Sequence, residues 1–330
     1  MLNKMRLRNL RSFSNTDHND FVELKPLTIF IGKNSSGKST FLRSLPLLRQ
    51  SIEARTTGPI LWYGAYVDFG AFSEAIKHGA SDKVIYFDFQ LNLDVLKGNL
   101  FGYSSAFDFF SSNVFGREKL DVQIELGVAE AQGKTVAKSL RIVVDKVEYL
   151  IEFQNDGKCI LLINGKQIVD NLSYLTKANF LPELGRIRRL ERTIDGTKRV
   201  HKIWDEEYLK ETFTNTVKGL LLPYFHPNTS EETILEGINK LGICNNSDIE
   251  KNLSNIFKTS SSFKKRFIKA PIHLKNEIYE NCIHKNLPLI LSSINRELEN
   301  TFKGIKYIAP LRATAERYYR HQDLQIVVVQ

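Results

Sequence analysis

The sequence predicts an α/β protein with a mixed sheet, an antiparallel meander and a mainly helical insertion. Three observations carry that prediction. The stretch Leu27-Thr-Ile-Phe-Ile-Gly-Lys-Asn-Ser-Ser-Gly-Lys-Ser-Thr40 runs from an apolar segment through two glycines to a Lys-Ser pair. From Asp121 to Val169, apolar residues alternate between turn-forming pairs. Beyond Asn171, apolar residues return at three- and four-residue intervals, the spacing of helices.

The first stretch fits G-x-x-x-x-G-K-[ST], the phosphate-binding loop, in the required setting after a strand and before a helix. Leu27, Ile29, Phe30 and Ile31 read as a buried parallel strand. Gly32 and Gly37 let the backbone curl so that successive N–H groups point inward and make a nest for anionic oxygens. Asn34, Ser35 and Ser36 form its interior, and Thr40 completes it. Lys38 is placed to reach the β- and γ-phosphates of a nucleotide, and the Ser39 hydroxyl to ligate Mg²⁺. The positive end of the following helix adds to the field.

That helix carries Phe41, Leu42, Leu45, Leu48 and Ile52 as an apolar stripe. Pro46 should kink it or end it near Leu45, and Arg43, Arg49 and Arg55 read as its solvated side. A loop is expected over residues 56–59, then a short helix over 73–78. In residues 83–92, Ile85, Phe87, Phe89 and Leu91 alternate, which predicts a strand with one apolar face. Asp68-Phe69-Gly70 stands without the other kinase motifs, so it is no kinase element. Gln132-Gly133, Asn155-Asp-Gly157 and Asn164-Gly165 mark the turns of the meander. Helical periodicity follows at 206–220, 231–240, 248–257, 275–284 and 289–302. The expected organisation is a phosphate-loop lobe with its meander over 1–170, a mainly helical insertion over 171–305, and a return to the lobe over 306–330.

Two basic clusters fall in the insertion. Arg186, Arg188, Arg189, Arg192, Lys198, Arg199 and Lys202 outnumber Glu183, Glu191 and Asp195; Lys264, Lys265, Arg266 and Lys269 form the second cluster. Such clusters either contact a nucleic-acid backbone or lie as ordinary solvated surface, and no base-reading motif accompanies them. The net charge of +9 permits a polyanionic partner. No run is long enough for a membrane span, and the N-terminus has no apolar secretory core. Cys159, Cys244 and Cys282 lack metal-ligand spacing and are expected as free thiols of a cytoplasmic protein.

With Asn34 in its third variable position, the loop G-K-N-S-S-G-K-S-T resembles ABC-type ATPases of the chromosome-maintenance and repair kind. It also resembles their prokaryotic relatives in phage defence. Residues 5–13 (Met-Arg-Leu-Arg-Asn-Leu-Arg-Ser-Phe) look like that family's opening strand, and Phe21-Val-Glu-Leu24 with Lys25-Pro26-Leu27 like its second strand and turn. Tyr307-Ile-Ala-Pro-Leu-Arg312 and Glu316-Arg-Tyr-Tyr319 resemble a stretch of the overcoming-lysogenization-defect (OLD) and the retron- or Septu-associated ATPases. The likeness covers the start of the chain and its end and hardly touches the middle. It implies ATP and Mg²⁺ as ligands, and an assembly, as homodimer or hetero-complex, with a nuclease effector. It also makes Gln90 a candidate for the family's metal- and water-sensing glutamine.

Hydrolysis in this family needs an Asp-Glu strand and a Leu-Ser-x-Gly signature, and neither is found in the sequence. Asp145 after Ile142-Val-Val is a decoy inside the meander, and Asp205-Glu206 lacks an apolar run ahead of it. The resemblance therefore makes this sequence look like the front portion of a larger ATPase. The competing expectation is a non-hydrolysing, ATP-gated scaffold. A P-loop kinase of a small molecule is the third, and neither its lid nor its acceptor-site acid can be picked out.

Overall fold

In a computed structural model, residues 2–16, 20–54, 58–94, 119–175, 180–194 and 197–308 are described. They belong to two compact units. The first comprises Met1–Leu93, Asp121–Glu183 and Ile294–Gln330; the second comprises Asp94–Leu120 and Leu184–Ser293.

The first unit is built on an antiparallel sheet. Its strands are β1 (Leu2–Arg8), β2 (Val22–Glu23), β3 (Val84–Asp94), β4 (Lys119–Ala131), β5 (Lys134–Val144), β6 (Val147–Phe153), β7 (Lys158–Ile163) and β8 (Lys166–Leu175). Their spatial order is β8-β7-β6-β5-β4-β3-β1-β2, so the meander is laid down strand beside strand and only β1 and β2 break chain order. Three hairpins close through two residues at positive φ: Gln132-Gly133 (52° and 74°), Asp145-Lys146 (49° and 71°) and Asn164-Gly165 (49° and 77°). Two consecutive left-handed residues match the twist of the flanking strands, which is why Asn-Gly suits the position. Asp145-Lys146 makes the same turn without a glycine.

One face of this sheet is apolar. Met5, Leu7, Ile85, Phe87, Phe89, Ile124, Leu126, Leu140, Ile142, Tyr149 and Ile151 are all buried, each alternating with a residue of the other face. Phe302 and Phe180 pack edge-on against Phe89, at 5.8 and 6.2 Å between ring centroids, and Trp62 lies 6.4 Å from Phe87. The other face carries an ion network running across five strands. Arg6 and Arg8 donate to Asp88 at 2.7 and 2.6 Å, Arg8 and Arg141 both reach Glu125 at 2.8 and 2.6 Å, and Arg141 continues to Glu148. Asp88 is fully buried, so its charge is carried entirely by those two guanidiniums.

Helix α1 (Lys38–Glu53) continues through Pro46, so the expected end near Leu45 is not found. The proline leaves the carbonyl four residues back, that of Leu42, without its helical donor. Leu42 lies on the exposed side of the helix. Two of the arginines expected on a solvated side are engaged instead: Arg43 donates to Asp68 O at 2.6 Å, and Arg49 pairs with Glu53 and donates to Ile305 O. Arg55 lies outside the described residues. Buried Gln50 clamps the following loop, donating to Leu61 O and Val67 O and accepting from Tyr66 N and Val67 N. That loop leads into the single turn α2 (Phe72–Ala75).

The second unit opens with a hairpin, β9 (Glu183–Ile194) and β10 (Thr197–Asp205), where the sequence suggested the start of a helical insertion. Helices follow: α3 (Tyr208–Leu221), α4 (Glu231–Lys240), α5 (Ile249–Ile256), α6 (Ser261–Phe267), α7 (Ile272–Lys285) and α8 (Leu287–Lys303), the last shared with the first unit. An aromatic cluster forms its core: Phe225 stacks on Phe263 at 4.5 Å, and Phe263 on Phe267 at 5.0 Å. Gly237 of α4 has no side chain because a Cβ there would stand 2.1 Å from the Phe257 ring. His284 is buried beside Phe213, and burial pushes its imidazole down to about 4. Lys285, also buried, donates to Ile238 O at 2.6 Å, and burial lowers its ammonium to about 8.

Candidate functional site

The loop of residues 32–37 hands the chain to α1 through Gly37, which sits at φ 95° as the helix N-cap. A side chain is excluded there twice over: the backbone is left-handed, and a Cβ would lie 2.9 Å from Ser12 Oγ and 3.0 Å from the Phe13 ring. The Ser12-Phe13 end of the opening segment is thus part of the loop's support. Ser35 also takes a left-handed conformation, at φ 62°, and Ser36 N donates to Lys33 O.

Lys38 folds back over this loop. Its ammonium donates to Gly32 O at 2.7 Å and Lys33 O at 2.6 Å, and stands 3.4 Å from Ser36 Oγ. The cation is therefore held at the loop itself rather than extended into solvent. Ser39 is exposed and Thr40 half-buried on the first turn of α1. That turn contains no acidic residue, and no side chain caps it. The first N–H groups of a helix have no partner within it, so the end of α1 keeps its positive field for an anion. Gly32, Asn34, Ser35, Ser36, Gly37, Lys38, Ser39 and Thr40 are thus brought into one turn-and-helix unit, with Asn34 exposed at its tip.

The segment that leads into the loop departs from expectation. Residues 27–31 form no strand and pair with nothing in the sheet; Leu27, Ile29 and Ile31 are 79%, 72% and 90% exposed. The expected buried parallel strand is not found, and every described strand pairing is antiparallel. A strand is buried only when neighbours cover it, and the described strands all lie along β1 and the meander instead. Phe30 alone turns inward, 5.1 Å from the Phe41 ring of α1, which Phe13 also touches at 6.4 Å. Thr28 is exposed as well, so Phe30 is the one residue of 27–31 that is partly covered.

Gln90 lies in the middle of β3, opposite Lys4, on the face that also bears Asp88. Phe87 and Phe89, the residues facing Trp62 and Phe302, belong to the opposite face, so the structure groups Gln90 with the ion network. The two acidic candidates are placed as well. Asp145 occupies the β5–β6 turn; Asp205 ends β10 and accepts from Arg188, with Glu206 exposed beyond it.

Among the basic residues, Arg186 stacks over Tyr208 at 5.1 Å, and Arg188 bridges Asp205 and Glu211. Arg266 donates to Phe225 O. These three are occupied in holding the second unit together. Arg189, Lys264 and Lys265 are exposed. The three cysteines are buried free thiols, and no helix among the described residues is long and apolar enough to cross a membrane.

Sequence reasoning missed the Gln50 clamp and the Asp88 network. The second was recoverable only with the register of β1 on β3, which sets Arg6 opposite Asp88 and Arg8 opposite Tyr86. No protein-family model matches the chain, and no curated protein matches it.

Proposed function

We propose that this chain binds Mg²⁺-ATP at residues 32–40 as the nucleotide-binding part of an ABC-type ATPase. In this reading it is the sensor or motor of a DNA-linked defence or repair assembly whose effector is a nuclease. The observation that carries the nucleotide site is the Lys38 ammonium, held by Gly32 O and Lys33 O beside an uncapped helix N-terminus. A phosphate entering that loop meets a cation, unpartnered helix N–H groups and the Ser36 and Ser39 hydroxyls together. Ser39, exposed on the first turn of α1, would supply a hydroxyl ligand to an Mg²⁺ carried by the phosphates, and that ion would neutralise phosphate charge. The family assignment is supported by the loop's sequence and by Ser12-Phe13 closing on Gly37.

The alternative is an ATP-gated scaffold that binds without turnover. It is favoured by the positions of the acidic candidates, Asp145 in a hairpin turn and Asp205 in an ion pair with Arg188. Titration calorimetry with Mg²⁺-ATP tests the site. Lys38→Ala should weaken binding by about tenfold to a hundredfold or more, since charge-assisted bonds to phosphate are the strong kind, and should leave the melting temperature unchanged. Equal affinities would remove Lys38 from the site. Steady-state phosphate release then separates the two readings: an ordinary rate lost in Lys38→Ala supports the ATPase, and a background rate with intact binding supports the scaffold.

A further inference from the structure

Helix α6 turns one side to the core and leaves a basic side outside. Phe263 and Phe267, four residues apart, stack on each other within the aromatic cluster, and Ser260 Oγ caps the helix by accepting from Phe263 N. Lys264, Lys265 and Lys269 fall on the exposed side. Between Glu250 and Glu277 the chain has seven lysines and arginines and no acidic residue. Two of the seven are engaged: Arg266 donates to Phe225 O, and Lys275 pairs with Glu250. The other five, Lys251, Lys258, Lys264, Lys265 and Lys269, are exposed and make no ion pair among the described residues. Lys265 and Lys269 stand one helical turn apart, a spacing at which like charges repel. Elsewhere in the unit Lys210 pairs with Glu207 and Lys218 with Glu231.

Two isoleucines accompany these cations. Ile268 and Ile272 bracket the turn from α6 to α7 and are 59% and 72% exposed. The turn is held by backbone bonds, from Lys269 N to Arg266 O and from Ala270 N to Phe267 O, so a fixed backbone displays both side chains. A single exposed apolar residue is ordinary. Two at one turn, beside unpaired lysines, point to a partner that takes up charge and apolar surface together. A nucleic-acid backbone would take the ammonium groups and leave the isoleucines in water. Nor are aromatics offered for unpaired bases to stack on, since Phe257, Phe263 and Phe267 are all buried. An anionic lipid surface takes both: its headgroups meet the ammonium groups, and its acyl boundary receives the isoleucines. Lysine suits that surface, because its long stem keeps the charge at headgroup level while neighbouring apolar residues go deeper.

We propose that the α6–α7 corner is a docking surface for an anionic lipid bilayer, with Lys258, Lys264, Lys265 and Lys269 against the headgroups and Ile268 and Ile272 entering the interface. Such attachment is peripheral and strengthens with both the apolar area buried and the attraction to anionic lipid. This inference stands apart from the nucleotide site, which involves none of these residues.

The test is co-sedimentation of the full chain with vesicles of mixed phosphatidylserine and phosphatidylcholine, with vesicles of phosphatidylcholine alone as the reference. The chain should pellet with the anionic vesicles, hardly at all with the neutral ones, and be released as salt rises. Lys264→Gln with Lys265→Gln should weaken binding by about 25-fold, or about fivefold per cation. Ile268→Gln with Ile272→Gln, which leaves the charge unchanged, should weaken it by about tenfold or more. All four side chains are exposed, so circular dichroism and thermal melting should be unchanged. Should either double variant fail to fold, Lys258→Gln alone and Ile272→Gln alone should each still weaken binding, by about fivefold and about threefold. Arg189→Gln with Lys202→Gln, exposed on the β9–β10 hairpin, should leave binding as it is. The proposal is overturned if the wild-type chain does not bind anionic vesicles at low salt, or binds neutral ones equally. It is overturned as well if either the lysine or the isoleucine variants keep the wild-type affinity. Tighter binding of a DNA duplex or of polyglutamate overturns it in favour of a soluble polyanion. Titrating the same variants with Mg²⁺-ATP keeps the two readings separate: each should bind ATP as the wild type does.

Discussion

The open face of residues 27–31 makes a quantitative claim that separates the observed arrangement from the strand expected of the sequence. Ile29→Ala with Ile31→Ala is the perturbation. In a packed core, Ile→Ala costs about 2–5 kcal/mol at each site, so a central strand would lose roughly 4–10 kcal/mol. Here Ile29 and Ile31 are 72% and 90% exposed. Complete burial of such a side chain is worth about 1.5–3 kcal/mol, and only the covered fraction is lost, so the double variant should cost about 1 kcal/mol or less. Leu47→Ala, at a fully buried position of α1, is the positive control and should cost about 2–5 kcal/mol. A two-unit chain need not unfold in one step, so the probe must report on one unit. The chain has two tryptophans, Trp62 in the first unit and Trp204 in the second. In a Trp204→Phe background, Trp62 fluorescence during urea unfolding follows the first unit alone. A loss of 2 kcal/mol or more from either isoleucine would refute the reasoning and show that residues 27–31 pack as an interior strand.

Two further outcomes are expected. Asp88→Asn should destabilise the first unit by about 3–5 kcal/mol, because it leaves Arg6 and Arg8 half-buried without their shared carboxylate; the same Trp62 unfolding curve measures it, and a cost under about 1 kcal/mol would make the network surface decoration. In the second unit, burial lowers His284 to about 4 from its ordinary 6.5. As pH falls through that window the unfolded chain takes up a proton that the folded unit refuses, so stability present at pH 7 declines by about 3 kcal/mol by pH 4. Trp204 fluorescence in a Trp62→Phe background follows this loss, and His284→Gln should flatten it; an unchanged acid slope would assign the decline to other groups.

The elements legible in the sequence were those whose signal is local. The Asn-Gly and Gln-Gly turns fixed two hairpins because positive φ at successive positions is a property of those residues themselves. Helix α4 falls on the residues that its periodicity marked, 231–240, with Ser230 capping Thr233 N. Asp145-Lys146 makes an equivalent turn from residues with no such preference, and only its partner strands reveal it. The β9–β10 hairpin was hidden for a related reason: basic residues stand at successive positions, as in Arg188-Arg189 and Lys198-Arg199, so neither strand shows a clean apolar alternation. Pro46 misled in the other direction, since helix propensity counts one lost hydrogen bond but not the packing of Phe41, Leu47, Leu48 and Ile52 that holds the rest of α1.

The turn of residues 32–37 into α1 was legible, and its immediate surroundings were not, because the two depend on different distances along the chain. Gly37 at positive φ, the ammonium of Lys38 on Gly32 O and Lys33 O, and the bare first turn of α1 are set within seven residues. Among the described residues, their aromatic support comes through Phe13, Phe30 and Phe41. An apolar run does not state which elements of the fold lie beside it, so the exposure of Leu27, Ile29 and Ile31 was not legible. Leu27, Ile29 and Ile31 together hold on the order of 5 kcal/mol of unrealised burial. Lys38 and Gly37 do not depend on that burial, since Lys38 is held by Gly32 O and Lys33 O and Gly37 lies against Ser12-Phe13.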